Sequence, residues 1–271
     1  RAFTRGAAAG DGRVVLGHDG PGVVSLADGR ADWARSTEGP VAAAAHGGGT
    51  VFVATRRARL AAVDAASGDP LWRGPLDGAA AFTGTLVADD AGAYLSSPAT
   101  GLRAVALDGT ERWRRPDAAP RAGATPPLAV VDGTVYAAAD GTLRAVSTAD
   151  GRVRWSRSVP GAPTGRRRVA DGRVYHTTAG ALTCLSAADG EPLWTVSPDA
   201  GGRYGDRFST GAAPGGGSVS VGVGDRLAGF DPEGGARRWR VGERTTVVRV
   251  TATAEGPVAV LADGTLSARH G

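Results

Sequence analysis

Five residue types are missing from the 271-residue chain: lysine, asparagine, isoleucine, glutamine and methionine. Lys, Asn, Ile and Met are the residues that AT-rich codons supply. Their loss, beside plentiful Arg, Ala and Gly, indicates a very GC-rich genome of the actinobacterial kind. Without an initiator methionine the sequence reads as a mature form or an excised domain, so the lack of a visible signal peptide or membrane helix says little about the full-length protein. One cysteine, Cys184, excludes an internal disulfide and any multi-cysteine metal site. The absence of lysine also makes all 31 basic residues arginine, and the net charge of +4 gives only a weak pull toward anionic partners.

What remains is an ordinary soluble globular composition, 42% hydrophobic and 21% charged, long enough for a sizeable core. Its 43 glycines fall at regular turn positions, which argues for many tight turns and against disorder. The stretch 133–155 sets the pattern. It reads as a strand over 134–139, a second over 142–147, and a third ending on Trp155 after an Asp150-Gly151 turn. Asp-Gly between two alternating runs signals a hairpin, because both central residues of a type I′ turn need positive φ.

A glycine four residues before a tryptophan recurs six times: Gly29 and Trp33, Gly68 and Trp72, Gly109 and Trp113, Gly151 and Trp155, Gly190 and Trp194, Gly235 and Trp239. Seven hairpins carry first strands at 13–18, 50–55, 93–97, 134–139, 173–178, 218–223 and 257–262. Their second strands share a Leu-x-small signature at Leu60, Leu102, Leu143, Leu182, Leu227 and Leu266, with 22–26 a degenerate first copy. Stretches of small residues ahead of the hairpins, such as 41–45, 128–131 and 250–254, supply inner strands. Apolar residues alternate with period two, and no window sustains a helical pattern. Four strands per unit in seven units is the signature of an all-β, seven-bladed β-propeller, here forming a single domain over 1–271. The seventh unit stops before any tryptophan strand. Residues 1–6 resemble the segment just after each tryptophan, so the N-terminal strand is expected to complete the last blade, with Phe3 in the tryptophan place beside 266–269.

The run Ala62-Val63-Asp64-Ala65-Ala66-Ser67-Gly68-Asp69-Pro70-Leu71-Trp72 resembles the tryptophan-docking repeat of the PQQ-like propellers, as do 145–155 and 184–194. That superfamily includes quinoprotein dehydrogenases, the BamB lipoproteins of outer-membrane assembly and sensor domains of actinobacterial serine/threonine kinases. The resemblance implies tryptophans docked against neighbouring blades. A quinoprotein would further bring a vicinal Cys-Cys disulfide and a calcium held by Asn, Asp and Glu. With Cys184 alone and no asparagine, neither that cofactor nor any other is expected, and Cys184 reads as a small core residue in a slot that other blades fill with alanine.

Candidate chemistry is sparse. His18, His46, His176 and His270 fall in different blades without metal-ligand spacing, and no glycine-rich nucleotide motif stands before a helix. Acidic residues concentrate in the Asp-Gly hairpins, where turn geometry favours them, which leaves the opposite loop face rich in arginine. There Arg56, Arg57, Arg166, Arg167, Arg168, Arg203 and Arg207, with Tyr204 and Asp206, form the expected binding site. The site would take an anionic small molecule, an anionic polymer or an acidic peptide. Because successive strand residues point to opposite sides, at least one of Arg166, Arg167 and Arg168 is expected to project into the mouth of the central channel. Aromatic interleaving is too thin for nucleic acid. The resulting expectation is a monomeric, non-catalytic binding or sensing domain, extracytoplasmic and tied to a membrane only through segments outside this sequence. The alternatives are an envelope-assembly scaffold, or an enzyme using His18, His176, Arg203 or Asp206 at the channel mouth.

Overall fold

The computed structural model describes residues 3–10, 12–18, 21–76, 80–120, 128–159, 161–165, 167–198, 207–253 and 256–268. Among these the chain forms seven antiparallel sheets in series, six of four strands and the last of three. The second sheet shows the plan. Val41–Gly47, Thr50–Thr55, Arg59–Asp64 and Pro70–Pro75 pair in sequence order as a meander. This is the seven-bladed β-propeller that the repeat predicts. The chain divides into two compact units, Arg1–Arg154 and Trp155–Gly271.

Burial follows strand position. All six residues of Thr50–Thr55 are buried, and so are all six of Gly92–Ser97, because a second strand has partners on both edges and packed faces on both sides. Fourth strands such as Pro70–Pro75 are largely exposed. The Asp-Gly hairpins between first and second strands adopt the expected geometry: Asp132 and Gly133 have φ of 47° and 67°, Asp171 and Gly172 have 50° and 69°.

Three expectations need correction. The strand holding Trp155 does not end there but runs over Val153–Ser158. The Asp150-Gly151 loop is longer than a two-residue turn: Gly151 N–H donates to the Ser147 carbonyl and Ser147 N–H to that of Arg152, and only Gly151 takes positive φ, at 73°. The N-terminal strand does not complete the seventh sheet; residues 1 and 2 lie outside the described residues. Phe3–Gly10 is the first strand of the first sheet, with Phe3 opposite His18 and Ala7–Gly10 paired back to Leu16–Arg13. The hairpin around Gly12 fixes that register, and the likeness of Phe3 to a blade tryptophan was too weak a guide against it.

The repeated glycine and tryptophan are one device. The Trp33 indole N–H donates to the Ala65 carbonyl at 3.0 Å, Trp113 to Thr148 at 2.9 Å, Trp155 to Ala187 at 2.9 Å, Trp194 to Pro232 at 3.0 Å, and Trp72 to Leu107. Each acceptor lies in the turn before the fourth strand of the next sheet. That turn's glycine lies flat beneath the ring: a Cβ on Gly68, Gly109, Gly151, Gly190 or Gly235 would stand within 2.5–2.9 Å of the preceding tryptophan. All five have φ between 72° and 91°, so glycine is required twice over, for the backbone and for the approach.

Candidate anion-binding site

The hairpin acids are turn builders. Asp64 Oδ1 accepts from the Ala66 and Ser67 N–H groups, Asp231 Oδ1 from Glu233 and Gly234, and Asp108 Oδ1 from Thr110. Backbone donors of this kind hold the Asp64, Asp108, Asp150, Asp231 and Asp263 carboxyls below their ordinary value. Asp64 ends the third strand of its sheet, Asp108, Asp150 and Asp231 stand between the third and fourth strands of theirs, and Asp263 between the second and third of its own, so each is placed by the geometry of its turn.

Most arginines on the exposed strands are paired. Arg35 meets Asp69 at 3.2 Å, Arg115 meets Asp117 at 2.8 Å, and Arg238 meets Asp231. The sequence-derived candidates behave differently. Arg56, Arg57, Arg168 and Arg207 are exposed. Among the described residues none of the four has a side-chain hydrogen bond or an ion pair. In the first unit Arg56 and Arg57 form the turn after Thr50–Thr55. The turn is pinned by the Arg56 N–H on the Pro40 carbonyl at 2.8 Å and continues through Ala58 at φ 53°.

In the second unit Arg168 opens the first strand of the fifth sheet, Arg168–Ala170. Arg207 starts a segment bolted to three sheets. Phe208 N–H donates to the Ala179 carbonyl and Ser209 N–H to that of Gly222, each at 2.9 Å, while Ser209 Oγ donates to the Val247 carbonyl at 2.8 Å. Phe208 is 1% exposed and meets Phe230 edge-on at 6.2 Å. A bond from Thr164 Oγ1 to the Thr210 carbonyl at 2.9 Å ties the Arg168 approach to this segment. Arg166, Arg203, Tyr204 and Asp206 lie outside the described residues.

Arg167 is turned inward. It is 3% exposed, with its Nη2 donating to Nδ1 of His176 at 3.3 Å, so alternation holds but the inward residue is packed. Because arginine can only donate, the His176 proton sits on Nε2. Burial, and then the Arg167 charge, push His176 down to about 4, and burial brings Arg167 down to about 10, so at neutral pH the pair is a neutral imidazole beside a cation. The sequence reading missed the pairing, although the repeat could have shown it. Arg167 and His176 face each other in the place occupied by Leu86 and Leu95 in the third sheet and by Ala44 and Val53 in the second, all buried and apolar. The other histidine proposed for chemistry, His18, is described only as a backbone partner of Phe3. Cys184 is fully buried opposite Trp194, with its thiol pushed up to about 11 by burial. No group of three or more His, Cys, Asp or Glu side chains converges among the described residues.

Comparison with known proteins agrees with the repeat. The chain matches the family model described as outer membrane protein assembly factor BamB over residues 1–179 and again over 178–270. Among solved structures, BamB from Moraxella catarrhalis is similar at 21% identity and a TM-score of 0.71, over 97% of this chain and 83% of that one. The computationally designed Ika8 protein is similar at 19% identity and a TM-score of 0.77, over 95% and 80%. No curated protein sequence matches. Matched by that model along nearly its whole length, the chain belongs to the PQQ-like propeller family of outer membrane protein assembly factor BamB.

Proposed function

We propose that the chain is a single-domain, non-catalytic binding propeller of the extracytoplasmic side, held at a membrane through segments beyond this sequence, and that it recognises acidic protein segments through arginines at the strand ends. The observation that carries this reading is the contrast in arginine pairing. Among the described residues, Arg56, Arg57, Arg168 and Arg207 show no partner for their guanidinium donors, whereas most of the other arginines are paired. A carboxylate partner would supply charge-assisted, two-pronged hydrogen bonds to each. Family membership supports a protein partner, since the model is that of an assembly factor. Under the alternative of a sensor domain attached to a serine/threonine kinase, the same arginines would do the binding, and the difference would lie in what is fused to the propeller.

Titration with a glutamate-rich peptide at low ionic strength tests the proposal. Binding is expected to weaken as salt rises. The pair Arg168→Ala and Arg207→Ala should weaken it by roughly tenfold, while Arg152→Ala, already facing Asp150 at 3.4 Å on the hairpin end, leaves it unchanged. Equal losses from both ends, or affinity indifferent to salt, would refute it.

A further inference from the structure

The seventh sheet ends on its third strand. Leu266–Ala268 pairs with Gly256–Leu261 on one side and, among the described residues, has no strand on the other. The Thr265 carbonyl accepts from the Leu261 N–H, and the register sets Ser267 opposite Ala259. Backbone groups in an antiparallel ladder alternate in direction, so the N–H and C=O of Leu266 and Ala268 point outward from the sheet. Their side chains share a face with Val260 and Val258, and Leu266 is the most exposed of the large apolar residues described.

The outer edges of the other six sheets are guarded. Arg30–Ser36, Glu111–Arg115, Val153–Ser158 and Arg237–Gly242 carry charged side chains, while Pro70–Pro75 and Pro192–Val196 begin on proline. Charges and prolines keep a free edge from recruiting another strand. Leu266, Ser267 and Ala268 provide neither. Trp239 gives an independent sign. Five tryptophans dock on the turn before the fourth strand of the next sheet, whereas Trp239 lies over Gly229, where no Cβ stands in its way. The sixth sheet is thus fitted to a neighbour without that turn, and a fourth strand on the seventh sheet would come from a separate segment.

The complete sheets show what such an edge takes. Cys184 faces Trp194 while Leu182 faces Val196, and Gly229 faces Trp239 while Leu227 faces Val241. Ala268 and Leu266 are the same small and leucine pair. All six tryptophans of the sequence stand in the first six sheets. A second copy is no better supplied, because each of its tryptophan strands is already paired within its own sheet. We propose that Leu266–Ala268 is a docking edge for an extended segment of a partner protein, which adds to the seventh sheet as its fourth strand. The segment places a tryptophan or another large aromatic across from Ala268 and a valine-like residue across from Leu266. None of the strand-end arginines takes part, so neither reading falls with the other.

The probe is a peptide with the sequence of residues 192–197, added to the native protein while hydrogen exchange is followed at the Leu266 and Ala268 amides. At a peptide concentration about ten times Kd, exchange at both should slow roughly tenfold. Trp194→Ala in the peptide should weaken binding by about tenfold or more. In the protein, Ala268→Pro removes one outward N–H at an edge position that tolerates proline and should weaken binding roughly fivefold. Should that variant melt early, Leu266→Asp serves instead, since it keeps the backbone and sets a charge on the apolar face. Arg168→Ala with Arg207→Ala leaves this binding unchanged. Amides of Leu266 and Ala268 already protected in the monomer before peptide is added would mean that the protein covers its own edge, and would overturn the proposal. Dimerisation abolished by Ala268→Pro would overturn it too, since the edge would then belong to a second copy. So would failure of the peptide to bind, or binding indifferent to its tryptophan or to both protein variants.

Discussion

Trp194 and Trp239 occupy the same place in consecutive sheets and end differently. Trp194 is 9% exposed, gives its indole hydrogen to the Pro232 carbonyl and covers Gly235 of the next sheet. Trp239 is only partly buried; it packs against the cluster that holds Leu227, Val247, Val250, Ala259 and Leu261 and lies over Gly229 of its own sheet, where a Cβ would fall 2.1 Å from the ring. Across from four of the docked tryptophans stands a residue with a Cβ: Ser25, Ala62, Ala104 and Cys184 face Trp33, Trp72, Trp113 and Trp194. Gly229 has none, and the Trp239 ring lies against it. The seventh sheet offers no dock among its described residues, and its leucine shows the effect. Leu266 is 67% exposed, whereas Leu60, Leu102, Leu143, Leu182 and Leu227 are 0–2% exposed. Sheet membership alone does not bury the repeat's apolar residues: the five buried leucines each have a fourth strand beside them, and Leu266 has none among the described residues.

The comparison breaks or holds first on the tryptophans themselves. Trp155→Ala removes a docked ring with a satisfied indole and should cost about 3–5 kcal/mol in urea denaturation. Trp239→Ala should cost roughly 1–2 kcal/mol, the ordinary loss for a partly exposed side chain. Equal costs would show that docking adds nothing to the burial a tryptophan achieves on its own sheet.

A smaller effect separates the glycines. Gly151 and Gly29 share φ of 73°, but a Cβ on Gly151 would press on Trp113 at 2.8 Å, whereas one on Gly29 meets nothing within 4 Å. Gly29→Ala isolates the backbone strain, about 1–2 kcal/mol. Gly151→Ala adds overpacking and should reach about 2–4 kcal/mol. If the two alanines cost the same, the glycine is there for its turn and not for the ring above it.

How much of this the sequence carries depends on whether the cause is local. Period-two alternation and Asp-Gly turns are local, and the strands Arg13–His18, Thr50–Thr55, Thr134–Ala139 and Ser218–Val223 are read from them to the residue. The Gly-x-x-x-Trp spacing reveals docking because both halves of the contact repeat. Strand pairing at the N-terminus is not local: the hairpin at Gly12 competes with a distant edge, and resemblance of Phe3 to tryptophan could not decide between them. The site divides along the same line. Alternation through Arg167 and Arg168 requires one of them to face inward but cannot say that the inward side is packed, since packing depends on residues far away in sequence. Nor can composition reveal which arginines find carboxylates, because Glu38 reaches Arg59 and Arg73 only after the sheets are stacked.

The last contrast lies between the fifth sheet and the third, where His176 and Leu95 hold the same place. A leucine there has no proton to gain. His176 is held at about 4, against an ordinary value of 6.5, by burial and by Arg167. Its folded pKa is depressed, so between 6.5 and 4 the unfolded chain binds more protons than the folded one, and stability falls as the pH is lowered through that window. Below about 4 both states carry the proton and the loss levels off. One proton sets the limit at about 1.4 kcal/mol per pH unit. His176→Leu gives the fifth sheet what the third already has and should flatten the stability profile between pH 6.5 and 4. The acid limb below 4 should survive in the variant, because it belongs to the hairpin carboxyls of Asp64, Asp108, Asp150, Asp231 and Asp263. Their folded pKa values are also depressed, so their contribution is lost only at more acid pH. Urea midpoints for both proteins across pH 3.5–7.5 provide the measurement. A variant that keeps the full slope above pH 4 would mean that His176 is not the group being protonated and that the polar pair is open to solvent protons in the folded state.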